Sequence, residues 1–210
     1  PHGASLGRAV RVDSQDLTSV STELWYDAAG RTTRSQTCIS GQCMDEGRSY
    51  DVAGRLDVLT YPDASGSLQG AGAERVDYIY NDAGQLEHVG NYAQLQYELD
   101  GRERSVSYGN GVVTRFVHDP ARRWLDSLTV ANPNSTTLLQ LDYLHDPAGR
   151  IREQGVAGKQ QGRLGYEYDA NGRLSRVRAS EAAREEQLHY DAIGRLLWSP
   201  RLGGVHYADP

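Results

Sequence analysis

Four aspartates, Asp27, Asp51, Asp169 and Asp191, each stand four residues before an arginine, and two histidines, His118 and His145, each open the run His-Asp-Pro-Ala. Carboxylates that pair can divide acid and base duties, and histidines with a third donor can hold zinc or shuttle protons. The chain identifies no third partner for the histidines, and it holds no G-x-S-x-G, H-E-x-x-H or Walker loop. Turn initiation plus a local aspartate–arginine contact accounts for every aspartate at once. For His118 and His145, histidine standing in for tyrosine in a stacked ladder is the stronger reading.

Cys38 and Cys43 could face each other across a tight hairpin, where a disulfide would contribute roughly 2 kcal/mol. Two ordinary thiols are the alternative, and a redox role ranks behind both. Zinc would need four ligands, and no other Cys or His lies nearby. A disulfide would point outside the reducing cytosol.

The surroundings of the aspartates form a repeat, Tyr-Asp-x-x-Gly-Arg-Leu, which outranks every other signal in the chain. It runs from Tyr26 with Asp27 and Gly30, from Tyr50 with Asp51 and Gly54, from Tyr168 with Asp169 and Gly172, and from Tyr190 with Asp191 and Gly194. Looser copies start at Tyr80 with Gly84 and at Tyr97 with Gly101, and histidine takes the aromatic slot at His118 and at His145, the latter with Gly149. Arg122 stands in the glycine slot of the His118 copy, so that turn either changes shape or strains Arg122 at positive φ. Successive glycine slots lie about two dozen residues apart, enough for two short strands and two turns.

Each copy reads as a β-hairpin turn. An aromatic residue ends one strand, the aspartate bonds backbone two residues on, and the glycine supplies positive φ at the last loop position. Before the turn, Leu164, Tyr166 and Tyr168 alternate with smaller or charged residues and share one sheet face. After it, apolar residues fall two and five positions past the glycine slot: Leu56 and Leu59, Leu86 and Val89, Leu174 and Val177. A gap of three cannot stay on one face of a regular strand, so a bulge or twist is expected after each turn.

Only 38% of the 210 residues are hydrophobic, with 13 Tyr, 3 Trp and a single Phe. That suits a sheet wetted on one or both faces, because a tyrosine ring packs while its hydroxyl reaches water. The net charge of −6 argues against a general nucleic-acid binder, and no apolar run is long enough for a membrane-spanning helix. The start at Pro1-His2-Gly3, with no signal-peptide pattern, leads us to expect a trimmed fragment or processed product.

Along the chain, residues 1–22 form a lead-in with a strand around Ala9 to Val12, residues 23–199 form the repeat domain, and residues 200–210 form a tail. The segment from Tyr61 to Gly72 is a long hairpin loop; as a phosphate cradle it lacks a glycine where Arg75 stands. Asn110-Gly111 reads as a two-residue hairpin turn, and Asn132-Pro133-Asn134-Ser135 as another turn. Ala179 to Gln187 has helix-forming composition or is a solvated hairpin arm. Trp25, Trp124 and Trp198 with the tyrosines could stack on sugars, although packing against neighbouring rungs explains them as well.

The repeats, together with Tyr108-Gly109-Asn110-Gly111-Val112-Val113-Thr114, resemble the Rhs or YD-repeat family. This family comprises Rhs polymorphic toxins, the shell-forming B and C components of Tc toxin complexes, and teneurin barrels. The resemblance runs from about Leu24 to Trp198. It implies an all-β fold in which antiparallel hairpin repeats form one strongly twisted, spiralling sheet, a segment of a hollow shell that often encloses a toxin domain. It implies a scaffold without catalysis or cofactor, secreted or at a bacterial surface. Its partners would be further shell segments, other copies of itself, or a toxin cargo carried elsewhere. The alternative is a surface adhesin or carbohydrate-binding module with glycan partners.

Overall fold

The computed structural model describes residues 8–15, 19–158, 161–180, 184–205 and 207. They form two units, with the boundary between Leu95 and Gln96. All regular structure among the described residues is β-strand, and every strand pair is antiparallel.

In the first unit the strands are β1 (Arg11–Gln15), β2 (Ser19–Tyr26), β3 (Thr32–Ile39), β4 (Gln42–Tyr50), β5 (Leu56–Tyr61), β6 (Glu74–Tyr80), β7 (Leu86–Val89) and β8 (Ala93–Tyr97), which crosses the boundary. Each pairs with the next in chain order. The second unit carries β9 (Glu103–Tyr108), β10 (Val113–His118), β11 (Leu125–Ala131), β12 (Thr137–His145), β13 (Ile151–Gly158), β14 (Gly162–Tyr168), β15 (Leu174–Ala179) and β16 (Arg184–Gln187), again paired in chain order. After Leu188 the chain resumes as β17 (His189–Tyr190), which pairs with β18 (Leu196–Ser199), and β18 pairs with β19 (Gly203–Gly204). The segment with helix-forming composition thus ends in strand β16, while residues 181–183 lie outside the described residues.

Because consecutive strands are neighbours and antiparallel, alternate turns fall on alternate edges. The repeat turns all join an even strand to the following odd one, or β17 to β18, and so within each unit they share one edge. The sheet is thin. Among the described residues the buried apolar side chains are only Val58, Leu59, Val76 and Ala131, and no large side chain is fully enclosed. Cross-strand pairs, not a deep core, therefore carry its cohesion.

The expected bulge is present beside the repeat turns that begin at Tyr26, Tyr50, Tyr80, His145, Tyr168 and Tyr190. The register slips by one residue at Trp25/Tyr26, Ser49/Tyr50, Ile79/Tyr80, Leu144/His145, Glu167/Tyr168 and His189/Tyr190. The extra residue on the return strand stands three past the glycine slot, for example Asp57 or Ser175. That one residue returns Leu59 to the face of Leu56, and Val177 to the face of Leu174.

Candidate functional site

The site is the repeat turn itself. At Asp169 the backbone N–H donates to the Arg173 carbonyl at 2.9 Å, and the Gly172 N–H donates back to the Asp169 carbonyl at 2.9 Å. Carboxylate Oδ1 accepts the N–H groups of Asn171 and Arg173, both at 2.9 Å, and Oδ2 accepts Arg173 Nε at 2.7 Å. Gly172 has φ +78°, and a Cβ there would also press to 3.3 Å from Arg150 Nη1. The same Nε–Oδ2 contact recurs from Arg31 to Asp27 and from Arg55 to Asp51, both at 2.7 Å, and from Arg150 to Asp146 and from Arg195 to Asp191, both at 2.6 Å. The carboxyls of Asp27, Asp51 and Asp169 are held below the usual range, foremost by the backbone N–H of the following arginine; for Asp191 the Arg195 side chain leads. Each carboxylate is thus spent on its own turn, as the sequence pattern implies.

The tyrosines connect one repeat to the next. Arg31 lies over the Tyr50 ring at 4.5 Å from its centroid, Arg55 over Tyr80 at 4.2 Å, Arg150 over Tyr168 at 4.6 Å, and Arg173 over Tyr190 at 4.8 Å. In each case the tyrosine hydroxyl donates to the carbonyl just after that arginine: Thr32 at 2.7 Å, Leu56 at 2.9 Å, Ile151 at 2.7 Å and Leu174 at 2.9 Å. A tyrosine near a guanidinium gains about 0.5–2 kcal/mol from the cation–π contact, and the hydroxyl bond adds about 1 kcal/mol. In these four pairs each repeat therefore offers a charged ring-cover and an acceptor to its successor.

Sequence reading missed two places in this ladder. Arg8 lies 5.7 Å from the Tyr26 ring, and the Tyr26 hydroxyl donates to the Ala9 carbonyl at 2.5 Å; the dipeptide Gly7-Arg8 was the signal. Tyr207 takes the ring position under Arg195, at 4.8 Å.

Variant repeats depart from this pattern in chemistry or in turn length. Asn81 and Gln85 replace the ion pair with neutral hydrogen bonds, including Gln85 N–H to Asn81 Oδ1 at 2.9 Å. In the Tyr97 copy the carboxylate moves two positions on: Asp100 takes Arg102 Nη2 at 2.6 Å, and this arginine pulls its carboxyl down to about 2. At His118 the turn does change shape. It is one residue longer, with Asp119 N–H bonded to the Trp124 carbonyl at 2.8 Å, so Arg123 and not Arg122 adopts φ 63°. Trp124 then occupies the arginine position and meets His145 in the tyrosine position at 5.2 Å between ring centroids. Trp124 also covers the next glycine: a Cβ on Gly149, at φ +83°, would stand 2.8 Å from the indole.

His118 and His145 end β10 and β12, with β11 between them, and both sit in the aromatic slot. Among the described residues no cluster of three His, Cys, Asp or Glu side chains could hold a metal ion. Cys38 and Cys43 pair across strands β3 and β4 and are joined as a disulfide. Trp124 also lies under Arg122 of its own turn at 4.9 Å, and Trp25 lies under Arg34, its partner across β2 and β3, at 4.6 Å, so an arginine of this chain covers each ring.

The repeat turn also recurs without the tyrosine motif. Asp63, Tyr108 and Asn132 each receive an N–H from three residues on and donate to a carbonyl four residues on. Asn110-Gly111 is thus not a two-residue loop: Gly111, at φ 81°, fills the fourth position of a turn running from Tyr108 to Val112. Ser135 fills that position after Asn132 at φ 62°. Short polar residues that bond backbone locally are the shared signal.

No protein-family profile matches the chain. Teneurin-3 of Danio rerio is 28% identical over 189 residues, which takes in 81% of this chain and 7% of the teneurin. Among solved structures, the crystal structure of TcdB2-TccC3-Cdc42 superposes with a TM-score of 0.63 at 18% identity over 95% of this chain and 12% of the other. The TcdB2-TccC3-TEV structure gives 0.63 at 17% identity over 94% and 12%. The chain thus spans a small fraction of the length of these relatives. Antiparallel hairpins closed along one edge by Tyr-Asp-x-x-Gly-Arg turns define a YD-repeat fold. The chain shares this fold with the TcdB2-TccC3 chains and resembles the teneurin in sequence, in line with the Rhs/YD-repeat resemblance carried by the repeats.

Proposed function

We propose that the chain is a non-catalytic stretch of YD-repeat wall, part of a hollow β-shell that encloses or delivers a toxin domain. The observation that carries this reading is the ladder: Arg150 and the Ile151 carbonyl receive Tyr168, and Arg173 with the Leu174 carbonyl receives Tyr190. A contact that each repeat makes and the next repeat receives extends a sheet without limit, which is what a wall needs and a catalytic cleft does not. The fold shared with the TcdB2-TccC3 chains and the turn-bound state of Asp27, Asp51, Asp169 and Asp191 support it. We take residues 23–199 as the repeat domain, between the lead-in 1–22 and the tail 200–210, and the repeat-turn residues as structural.

The partners on this reading are further shell repeats, other copies of the chain, and a cargo domain, with no cofactor. The disulfide favours a secreted or surface location, because such bonds persist outside the reducing cytosol. Among the described residues no helix is long and apolar enough to cross a membrane. Limited proteolysis of the full-length parent protein tests the function. Cargo that resists protease until the shell is opened by denaturant supports it, and cargo cleaved at the rate of a free domain refutes it.

A further inference from the structure

The first unit carries a cluster of tyrosines that the ladder does not use. Tyr61 closes β5 opposite Glu74 at the start of β6, and Tyr78, further along β6, stands opposite Val89 of β7. Strand alternation puts Glu74, Val76 and Tyr78 on one face, and register adds Tyr61 and Val89 to it. Tyr92, in the turn between β7 and β8, completes a hollow of about 430 Å³ lined by Tyr61, Glu74, Val76, Tyr78, Val89 and Tyr92. Its floor is Val76, which is 3% exposed, while Tyr61 and Tyr92 are 42% and 50% exposed at the rim. Gly90, at φ +45°, lets the turn lie close, since a Cβ there would come within 3.3 Å of Val76.

The hollow is electron-rich. The Tyr92 hydroxyl donates to Glu74 Oε1, which leaves Glu74 Oε2 open among the described residues. The Tyr78 phenol is pushed up by burial first and then by Tyr61, Tyr80 and Glu46, and the Tyr92 phenol by its bond to Glu74. Three tyrosine rings and a carboxylate around one hollow suit a cation and give it one charged acceptor.

Elsewhere this chain fills that arrangement itself, with an arginine over a tyrosine and a carboxylate on the guanidinium: Arg55 on Tyr80 with Asp51, and Arg150 on Tyr168 with Asp146. No described arginine lies over Tyr61, Tyr78 or Tyr92. Their neighbour Arg75 points to the other face, where it pairs with Asp77. We infer that the hollow formed by Tyr61, Tyr78, Tyr92 and Glu74 receives an arginine side chain from a partner polypeptide. The guanidinium lies against the rings with one edge on Glu74 Oε2, repeating in trans the contact that the ladder makes in cis.

Titration of the full chain with N-acetyl-arginine amide, followed by NMR of the tyrosine rings, tests this. Ring signals of Tyr61, Tyr78 and Tyr92 shift saturably, Glu74→Gln and Tyr92→Ala each weaken binding by about tenfold, and Asp77→Asn changes nothing. The amide spectrum of each variant shows whether it is folded, and Glu74→Gln preserves side-chain volume. The inference fails if the rings do not respond, if the neutral isostere N-acetyl-citrulline amide gives the same shifts, or if a methyl glycoside saturates these rings while the arginine amide does not. The last result would make the hollow a carbohydrate site.

Discussion

Arg150 is shared between two repeats: its Nε lies 2.6 Å from Asp146 Oδ2 in its own turn, and its guanidinium stands 4.6 Å from the ring centroid of Tyr168 in the next. Asp146 thereby fixes the arginine in the posture that Tyr168 needs, and the Tyr168 hydroxyl locks the stack through the Ile151 carbonyl at 2.7 Å. Tyr168→Phe keeps the ring under the arginine and loses only the hydroxyl bond, so it should destabilise by about 1 kcal/mol. Arg150→Lys keeps the charge but loses the planar stack and the fixed Nε donor, and should cost at least as much. In a double-mutant cycle read by denaturant unfolding, Arg150→Lys and Tyr168→Leu, which removes the ring, should be non-additive by about 0.5 kcal/mol or more; strict additivity would show that the stack carries no energy.

Positive φ gives two substitutions of opposite sign. Arg123 holds φ 63° with a side chain that pays for that conformation, so Arg123→Gly should stabilise by about 0.5–1 kcal/mol. Gly149 holds φ +83° beneath Trp124, so Gly149→Ala should destabilise by more than 1 kcal/mol. Thermal unfolding of the two variants checks both directions in one experiment.

The Cys38–Cys43 disulfide closes a short loop, and the chain-entropy relation gives about 2 kcal/mol for it. Reduction, or Cys38→Ser with Cys43→Ser, should lower stability by about that much. The hairpin register of β3 and β4 should persist, because their pairing runs beyond the cysteines from Arg34 opposite Gly47 to Ile39 opposite Gln42. Amide exchange across the hairpin, oxidised against reduced, measures both effects.

Acid should loosen the turns. The Asp100 carboxyl lies at about 2 in the folded chain, mainly through Arg102, against about 3.9 for an unfolded aspartate. A depressed folded value means the stabilisation is complete above about pH 4 and is lost as pH falls toward 2. Asp27, Asp51, Asp169 and Asp191 shift in the same direction. Carboxyl titration by NMR should show Asp100 titrating well below an exposed carboxylate, and Asp100→Asn should reduce the acid sensitivity of unfolding.

The turns were legible in the sequence because they are local: Asp169, Gly172 and Arg173 lie within five residues and act on one another. So was the bulge, since apolar residues spaced like Leu174 and Val177 can share a face only if one residue is extra. That the aromatic residues stack from rung to rung was legible, but their arginine and carbonyl partners were not, because Tyr168 meets Ile151 and Arg150 across a strand pair that no short pattern spans. The placing of Trp124 where other repeats have arginine escaped for the same reason, compounded by an added residue that moved the positive-φ position from Arg122 to Arg123. The tyrosine hollow was invisible for a further reason: Tyr61, Tyr78 and Tyr92 come from two strands and a turn and carry no motif.

Electron cryomicroscopy of the full-length parent protein tests the central claim most directly. The shell reading predicts that β-strands of this chain lie side by side with those of adjacent repeats in the wall of a closed hollow, with Tyr50, Tyr80, Tyr168 and Tyr190 each seated beneath the arginine of the repeat before it. Density showing this chain as a free-standing lobe outside any enclosing wall, or folded around a substrate cleft, would contradict it.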